Sequence, residues 1–250
     1  MPKARPWIKQ LPIAHRGLHD AQAGIVENSM SAFEAAVEHG YAIELDVQIT
    51  CDGDAAVFHD DRLERLTDET GKVRRRTSDE IKSIRLSGTN ETIPTLEMVF
   101  DMVRGRVPIL VEIKNPTRKV GKLEARVADL IAGYAGDTAV QSFNPLSLQW
   151  MHKNAPAIAR GLLASDYRNI TQVNMSRRAR FVMKNLLLSP LSKPNFIGYD
   201  VDALPAIAPA ILRKIGLPLL AWTVRTDEQR ATGARHADNI IFEGFEAPIG

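Results

Sequence analysis

The sequence contains one cysteine, Cys51, in 250 residues. A single thiol excludes an intrachain disulfide framework and a thiolate-rich metal centre. Any bound metal must therefore use oxygen or imidazole ligands, which suits hard cations or zinc. No histidine stands near Cys51 in an arrangement that would activate it, so it reads as a small residue at a strand end. There is no apolar stretch of transmembrane length. There is no long Lys/Arg run and the net charge is only +2, so no nucleic-acid partner is expected. The first seven residues, Met1 to Trp7, lack the apolar core and cleavage site of a secretory signal, and a cytoplasmic protein is the default expectation. No Gly-x-Gly-x-x-Gly follows the first strand, which counts against a dinucleotide fold. No internal repeat or low-complexity tract is visible.

What is present is ordinary globular composition, 44% hydrophobic and 25% charged, in a chain long enough to bury a full core. Short apolar runs alternate with longer amphipathic ones. Residues 11–14, 42–49, 55–58, 107–114, 138–143, 158–163, 195–201, 218–224 and 239–242 read as strands. Residues 28–39, 77–84, 96–103, 119–134, 145–154, 206–215 and 227–236 read as helices. Repeated strand–helix units imply parallel pairing with helices over the sheet. About eight such units at this length predict an α/β protein, a (β/α)8 TIM barrel; a doubly wound open sheet is the alternative. Residues 51–95, between the second and third long strands, read as a small insertion on the barrel rim. A single domain spans residues 1–250.

The chemistry concentrates on strands. In Ile43-Glu44-Leu45-Asp46-Val47, side chains alternate, so Glu44 and Asp46 share one face and Leu45 and Val47 the other. Two carboxylates aimed into a barrel repel one another and lose hydration, at a cost of at least several kcal/mol, by order of magnitude, for one uncompensated charge. A divalent cation is the simplest remedy; a salt-bridged pair on a solvated strand face is the alternative. The same spacing puts Glu112 and Lys114 on one face. Glu112 would be a third oxygen ligand, and Lys114 would meet a phosphate oxygen or hold Glu112. His15-Arg16-Gly17 closes the first strand, where barrel residues face the active site, and arginine offers a planar fork for phosphate. His59 follows another short strand. Two imidazoles titrating near neutral pH suit an acid–base pair, although either alone would read as structural.

Taken together, these motifs resemble the glycerophosphodiester phosphodiesterase family, a barrel family. The resemblance runs in order through Ala14-His15-Arg16-Gly17, Glu27-Asn28-Ser29, Glu44-Leu45-Asp46-Val47, Asp52-Gly53, Val57-Phe58-His59-Asp60, Ile93-Pro94-Thr95-Leu96-Glu97, Glu112-Ile113-Lys114, Gln141-Ser142-Phe143 and Ala221-Trp222-Thr223-Val224. It covers about residues 13–245. It implies that Glu44, Asp46 and Glu112 bind Mg2+ or Ca2+. It further implies that His15 and His59 are the acid–base pair, that Arg16 and Lys114 steady the phosphate, and that Trp222 packs on the glycerol moiety of a small glycerophosphodiester. The expected reaction releases glycerol 3-phosphate and an alcohol through a cyclic phosphate. A lysophospholipase D or sphingomyelinase D-like activity on lipid head groups is the alternative, and a non-catalytic binding barrel is a third possibility that the intact set of five residues opposes.

Two regions depart from the pattern. Arg225 stands where many members have Asn after Trp-Thr-Val, and Glu243-Gly244-Phe245-Glu246-Ala247-Pro248 replaces an Asp-Tyr-Pro-like tail. Arg225 either attracts an extra anion or faces solvent. Residues 167–194 mix Arg177, Arg178, Arg180 and Lys184 with Phe181, Val182, Met183 and Leu186 to Leu188. That pattern suits either contact with an anionic membrane surface or an ordinary barrel helix with a basic outer face.

Overall fold

A computed structural model describes residues 5–167 and 175–249. Eight parallel strands close a barrel: β1 (Ile13–Ala14), β2 (Ala42–Ile49), β4 (Ile109–Ile113), β5 (Thr138–Ser142), β6 (Ala159–Ala164), β7 (Phe196–Asp200), β8 (Leu219–Val224) and β9 (Asn239–Phe242). Closure comes from β1, which pairs with both β2 and β9. The short β3 (Ala55–Val57) lies antiparallel on the end of β2. The (β/α)8 TIM barrel expected from the alternating pattern is the observed fold, and the open-sheet alternative is excluded.

Helices α2 (Met30–Glu38), α4 (Leu96–Val103), α5 (Lys122–Gly133), α6 (Pro145–Asn154), α7 (Arg177–Lys184), α9 (Ile207–Lys214) and α10 (Asp227–His236) connect the strands; α3 (Ser78–Ser83) belongs to the segment between β2 and β4, and α8 (Ser189–Ser192) follows α7. The outer layer follows from strand alternation: Leu45, Val47, Val111 and Ile113 pack with Phe33, Leu96, Val99 and Val127 in one buried cluster. Each such side chain contributes about 1.5–3 kcal/mol on burial, and this apolar layer is what holds a polar mouth in place. A second cluster fills the barrel's lower interior, with Ile13, Ala42, Leu110, Ala139, Phe196 and Leu220 packed against Trp7 and Ile8. Those two residues belong to α1 (Trp7–Gln10), which the sequence reading did not find because four residues carry too little periodicity.

The second helix starts later than expected. Ser29 is its N-cap, accepting from the Ala32 amide, and Asn28 precedes the cap at φ 57°. The fifth starts at Lys122 rather than 119, because Asn115, Thr117 and Lys119 bond among themselves in a turn. Between β2 and β4, residues 51–95 carry β3, a 3-10 turn at Val73–Arg75 and α3 around a small buried cluster of Phe58, Leu63, Val73 and Ile81. The basic segment forms α7, none of whose residues is buried; the part of it at 168–174 lies outside the described residues.

Candidate active site

The end of β1 shapes the mouth. Arg16 sits at φ 57° and Gly17 at φ 81°, so the chain reverses at once. A Cβ on Gly17 would meet the Ala32 backbone at 2.8 Å, which leaves glycine as the only residue that fits. The turn is held by Gly17 N–H donating to the Glu44 carbonyl (3.2 Å) and Asn28 N–H donating to the Arg16 carbonyl (2.9 Å).

β2 and β4 bring the acidic residues together. Asp46 and Glu112 are register partners, and one oxygen from each of Glu44, Asp46 and Glu112 lies within 4.8 Å of the others. The three residues are 1%, 1% and 9% exposed. Compensation is partial. Lys114 Nζ lies 3.3 Å from Asp46 and 3.2 Å from Glu112, and Arg16 Nε lies 3.3 Å from Asp46. Among the described residues, Glu44 accepts only the Arg16 backbone amide (3.1 Å) and the Gln141 side-chain amide (3.2 Å). Burial, followed by repulsion from Asp46 and Glu112, pushes the Glu44 carboxyl well above its usual range. Burial works the same way on Asp46, but Lys114 and Arg16 outweigh it and hold that carboxyl far down. Burial also raises Glu112, against the pull of Lys114. Burial opposes the Lys114 charge, yet Asp46 and Glu112 raise its pKa. Three buried carboxylates facing two cations, with an all-oxygen donor set, fit a hard divalent ion.

The histidines stand at the same mouth, each held through Nδ1 by a carboxylate that an arginine clamps. His15 Nδ1 meets Glu243 Oε2 at 2.7 Å, and Arg225 donates to both Glu243 oxygens at 3.0 and 3.2 Å. His59 Nδ1 meets Asp60 Oδ1 at 2.6 Å, and Arg65 donates to Asp60 at 2.5 and 3.1 Å. Arg65 also binds Glu27, which binds Arg16 at 2.7 Å, so one ion network joins the His59 side to Arg16. Burial brings His15 down to about 4, despite the Glu243 hydrogen bond. Burial opposes ionisation of Glu243, yet His15 and Arg225 hold it well below the usual carboxylate range.

Seven of the residues singled out in the sequence, His15, Arg16, Glu44, Asp46, His59, Glu112 and Lys114, come together here, while Trp222 packs against the lower interior cluster. Trp222 stands edge-on to Phe143 (5.4 Å, 89°) with Nε1 buried and unpartnered. Gly198 leaves it room, since a Cβ there would lie 3.3 Å from Trp222 Cδ1 and 2.4 Å from Leu163 Cδ2. Sequence reasoning gave no role to Asn28, whose amide donates to Asp46 at 2.9 Å. It also gave none to Glu27, Asp60, Arg65 or Glu243. Asn28 alone carried a local signal, an Asn just ahead of a helix cap and tolerant of positive φ. Arg225 pairs with Glu243, so the two departures from the family pattern meet each other.

The glycerophosphoryl diester phosphodiesterase family pattern matches residues 15–241. The chain belongs to that family. It is an enzyme, a phosphoric diester hydrolase. The protein YhdW of Bacillus subtilis is 31% identical over 239 residues, covering 92% of each chain. A glycerophosphodiester phosphodiesterase of Caldanaerobacter subterraneus is 36% identical over 168 residues, 62% of this chain and 67% of that one. In structure, an Oleispira antarctica phosphodiesterase solved with the product sn-glycerol-3-phosphate superposes with a TM-score of 0.77 at 21% identity, covering 93% of each chain. Within this phosphodiesterase, no helix among the described residues is long and apolar enough to cross a membrane.

Proposed function

We propose that this phosphodiesterase hydrolyses small glycerophosphodiesters to glycerol 3-phosphate and an alcohol, with His15 and His59 as its acid–base pair. The observation that carries this reading is the pair of carboxylate-held histidines flanking a buried acidic cluster at one barrel mouth. Glu44, Asp46 and Glu112 would hold Mg2+ or Ca2+. When bound, such a cation polarises a phosphoryl oxygen and eases ionisation of a nearby hydroxyl. Arg16 and Lys114 place positive charge where the phosphodiester sits, and Trp222 offers an apolar face and a free N–H to the glycerol moiety.

His15, neutral at pH 7 and donating Nδ1–H to Glu243, presents Nε2 as the base. It takes the proton of the glycerol 2-hydroxyl, whose oxygen attacks phosphorus. His59 gives a proton to the departing alcohol oxygen as the P–O bond breaks. The five-membered cyclic phosphate then opens as water adds, with the two histidines in exchanged roles, and glycerol 3-phosphate leaves. Each positioned group contributes roughly 10²–10⁴-fold. The test is a panel of glycerophosphodiesters and lysolipids assayed with Mg2+, Ca2+ or chelator. Glycerol 3-phosphate should appear with either cation or one of them, and chelator should abolish it. Product that is a lipid phosphate, with no turnover of soluble diesters, would replace this reading with the lysolipid one.

One observation favours a membrane surface as an additional partner. α7 exposes Phe181 (63%) among Arg177, Arg178, Arg180 and Lys184, and α9 exposes Ile207, Ile211 and Ile215. Flotation with anionic vesicles tests it.

A further inference from the structure

The mouth holds a second donor set, which shares His15 and Glu243 with the proposed reaction and adds His19. His19 follows the Arg16-Gly17 turn, and its side chain is 17% exposed. Its Nε2 is buried and has no hydrogen-bond partner among the described residues. That atom faces Glu243, 3.9 Å from Oε2. The same oxygen is 2.7 Å from His15 Nδ1, and ligand atoms of the three residues all fall within 4.8 Å of one another. A buried ring nitrogen without a hydrogen-bond partner is uncommon and calls for a ligand or a proton donor. Two imidazoles and a carboxylate, converging on one point, form a donor set used by zinc.

We infer that His15, His19 and Glu243 form a zinc-class site, distinct in chemistry from the carboxylate cluster, whose occupation shuts the enzyme off. The metal takes the place of the proton between His15 Nδ1 and Glu243 Oε2, and His19 Nε2 supplies the third ligand. Zinc bonds to imidazole nitrogen and carboxylate oxygen of about 2.0–2.2 Å need small closing movements of His19 and a slight parting of His15 from Glu243. The Arg225 clamp on Glu243 then supports the ligating carboxylate from behind. Glu44, Asp46 and Glu112 offer only oxygen and suit Mg2+ or Ca2+; imidazole is what draws zinc to the other set. With Nδ1 on the metal, the single proton of the neutral His15 ring, displaced from Nδ1, moves to Nε2, and Nε2 no longer accepts one. The inhibitory half of this inference rests on the proposed role of His15; the binding half does not.

Calorimetric titration of the whole chain with ZnCl2, in saturating Mg2+ and Ca2+ and without phosphate, tests it. The wild type should bind one zinc ion. His19→Ala and His19→Gln should bind it ~10-fold or more weakly, while Glu44→Gln keeps it. In the diesterase assay, zinc should inhibit the wild type, and the His19 variants should keep wild-type basal rates and resist zinc. Unaltered zinc affinity in both His19 variants, or zinc binding lost in Glu44→Gln, overturns the site. His19-dependent binding without inhibition overturns the shut-off. If no diester is hydrolysed at all, the proposed function fails, yet the calorimetry still decides the site.

Discussion

The two histidines are built alike and reached differently. His59, Asp60 and Arg65 lie within seven consecutive residues on the rim between β2 and β4, and the His59 side chain is 32% exposed. His15, Glu243 and Arg225 come from β1, the end of β9 and the end of β8, and the His15 side chain is 13% exposed. One arrangement is local and partly solvated. The other is assembled only when the barrel closes, and it is dry enough to keep its imidazole neutral. The same hydrogen-bond pattern therefore does unequal work, because a charged partner acts more strongly where water is excluded.

The largest test of this comparison removes the rings. His15→Ala and His59→Ala should each lower kcat by roughly 10²–10⁴-fold, with near-wild-type circular dichroism and melting. Near-wild-type rates in both would end the acid–base reading. Next comes the carboxylate behind each ring. Glu243→Gln should lower kcat more than Asp60→Asn, by about 10²-fold against about 10-fold, with little change in KM, and Glu243→Asp should recover part of the loss. Equal losses would show that depth is irrelevant. Removing the clamps should cost less still: Arg225→Gln and Arg65→Gln should each reduce kcat by a few-fold to ~10-fold, acting through Glu243 and Asp60. Arg65→Gln should also raise KM, because Glu27 loses a partner that it shares with Arg16.

The same contrast explains what was legible. Glu44 with Asp46, and Glu112 with Lys114, followed from strand alternation, a rule needing only neighbours in sequence. His59 and Asp60 are neighbours in sequence, yet alternation does not mark adjacent side chains as partners, and that pairing was not read. Glu243 with Arg225 was visible only as two departures from a family pattern, since the contact between them depends on which strand ends meet across 18 residues, and the contact of Glu243 with His15 spans 228. Asn28 was hidden for a different reason. Its side chain reaches Asp46 only because the helix begins two residues later than the apolar pattern suggested. The barrel itself was legible because eight repeats of one pattern reinforce each other, whereas α1 has four residues and no repeat.

The carboxylate cluster offers a smaller and separable effect on stability. Glu44 has an ordinary carboxyl value of 4.5 and is raised well above it when folded. Between those values the folded chain binds more protons than the unfolded chain, so this residue's contribution to stability falls as pH rises from 4.5 toward neutrality. His15 works in the opposite sense: with its folded value near 4 against 6.5 unfolded, stability rises across that window. Comparing variants at each pH separates the two. In chelator at pH 7, Glu44→Gln should melt roughly 3–6 °C higher than wild type, with the gap closing toward pH 5. Adding Mg2+ or Ca2+ should stabilise the wild type by mass action and leave Glu44→Gln behind. A variant that melts lower in chelator at both pH values would mean that Glu44 is fully compensated in the folded chain.

The smallest effect lies on the outer faces of α7 and α9. Phe181, Ile207, Ile211 and Ile215 are 63%, 80%, 55% and 72% exposed, so replacing them forfeits little folding energy. Phe181→Ser with Ile211→Ser should melt within a degree or two of wild type and turn over soluble glycerophosphodiesters at the same rate. If these faces meet an anionic bilayer, the double variant should float with phosphatidylserine vesicles a few-fold less well, because insertion energy scales with the apolar area buried at the interface. Raising salt should weaken flotation of the wild type through Arg177, Arg178, Arg180 and Lys184. Equal flotation of both proteins, or none by the wild type, would confine the phosphodiesterase's partners to molecules that enter the barrel mouth.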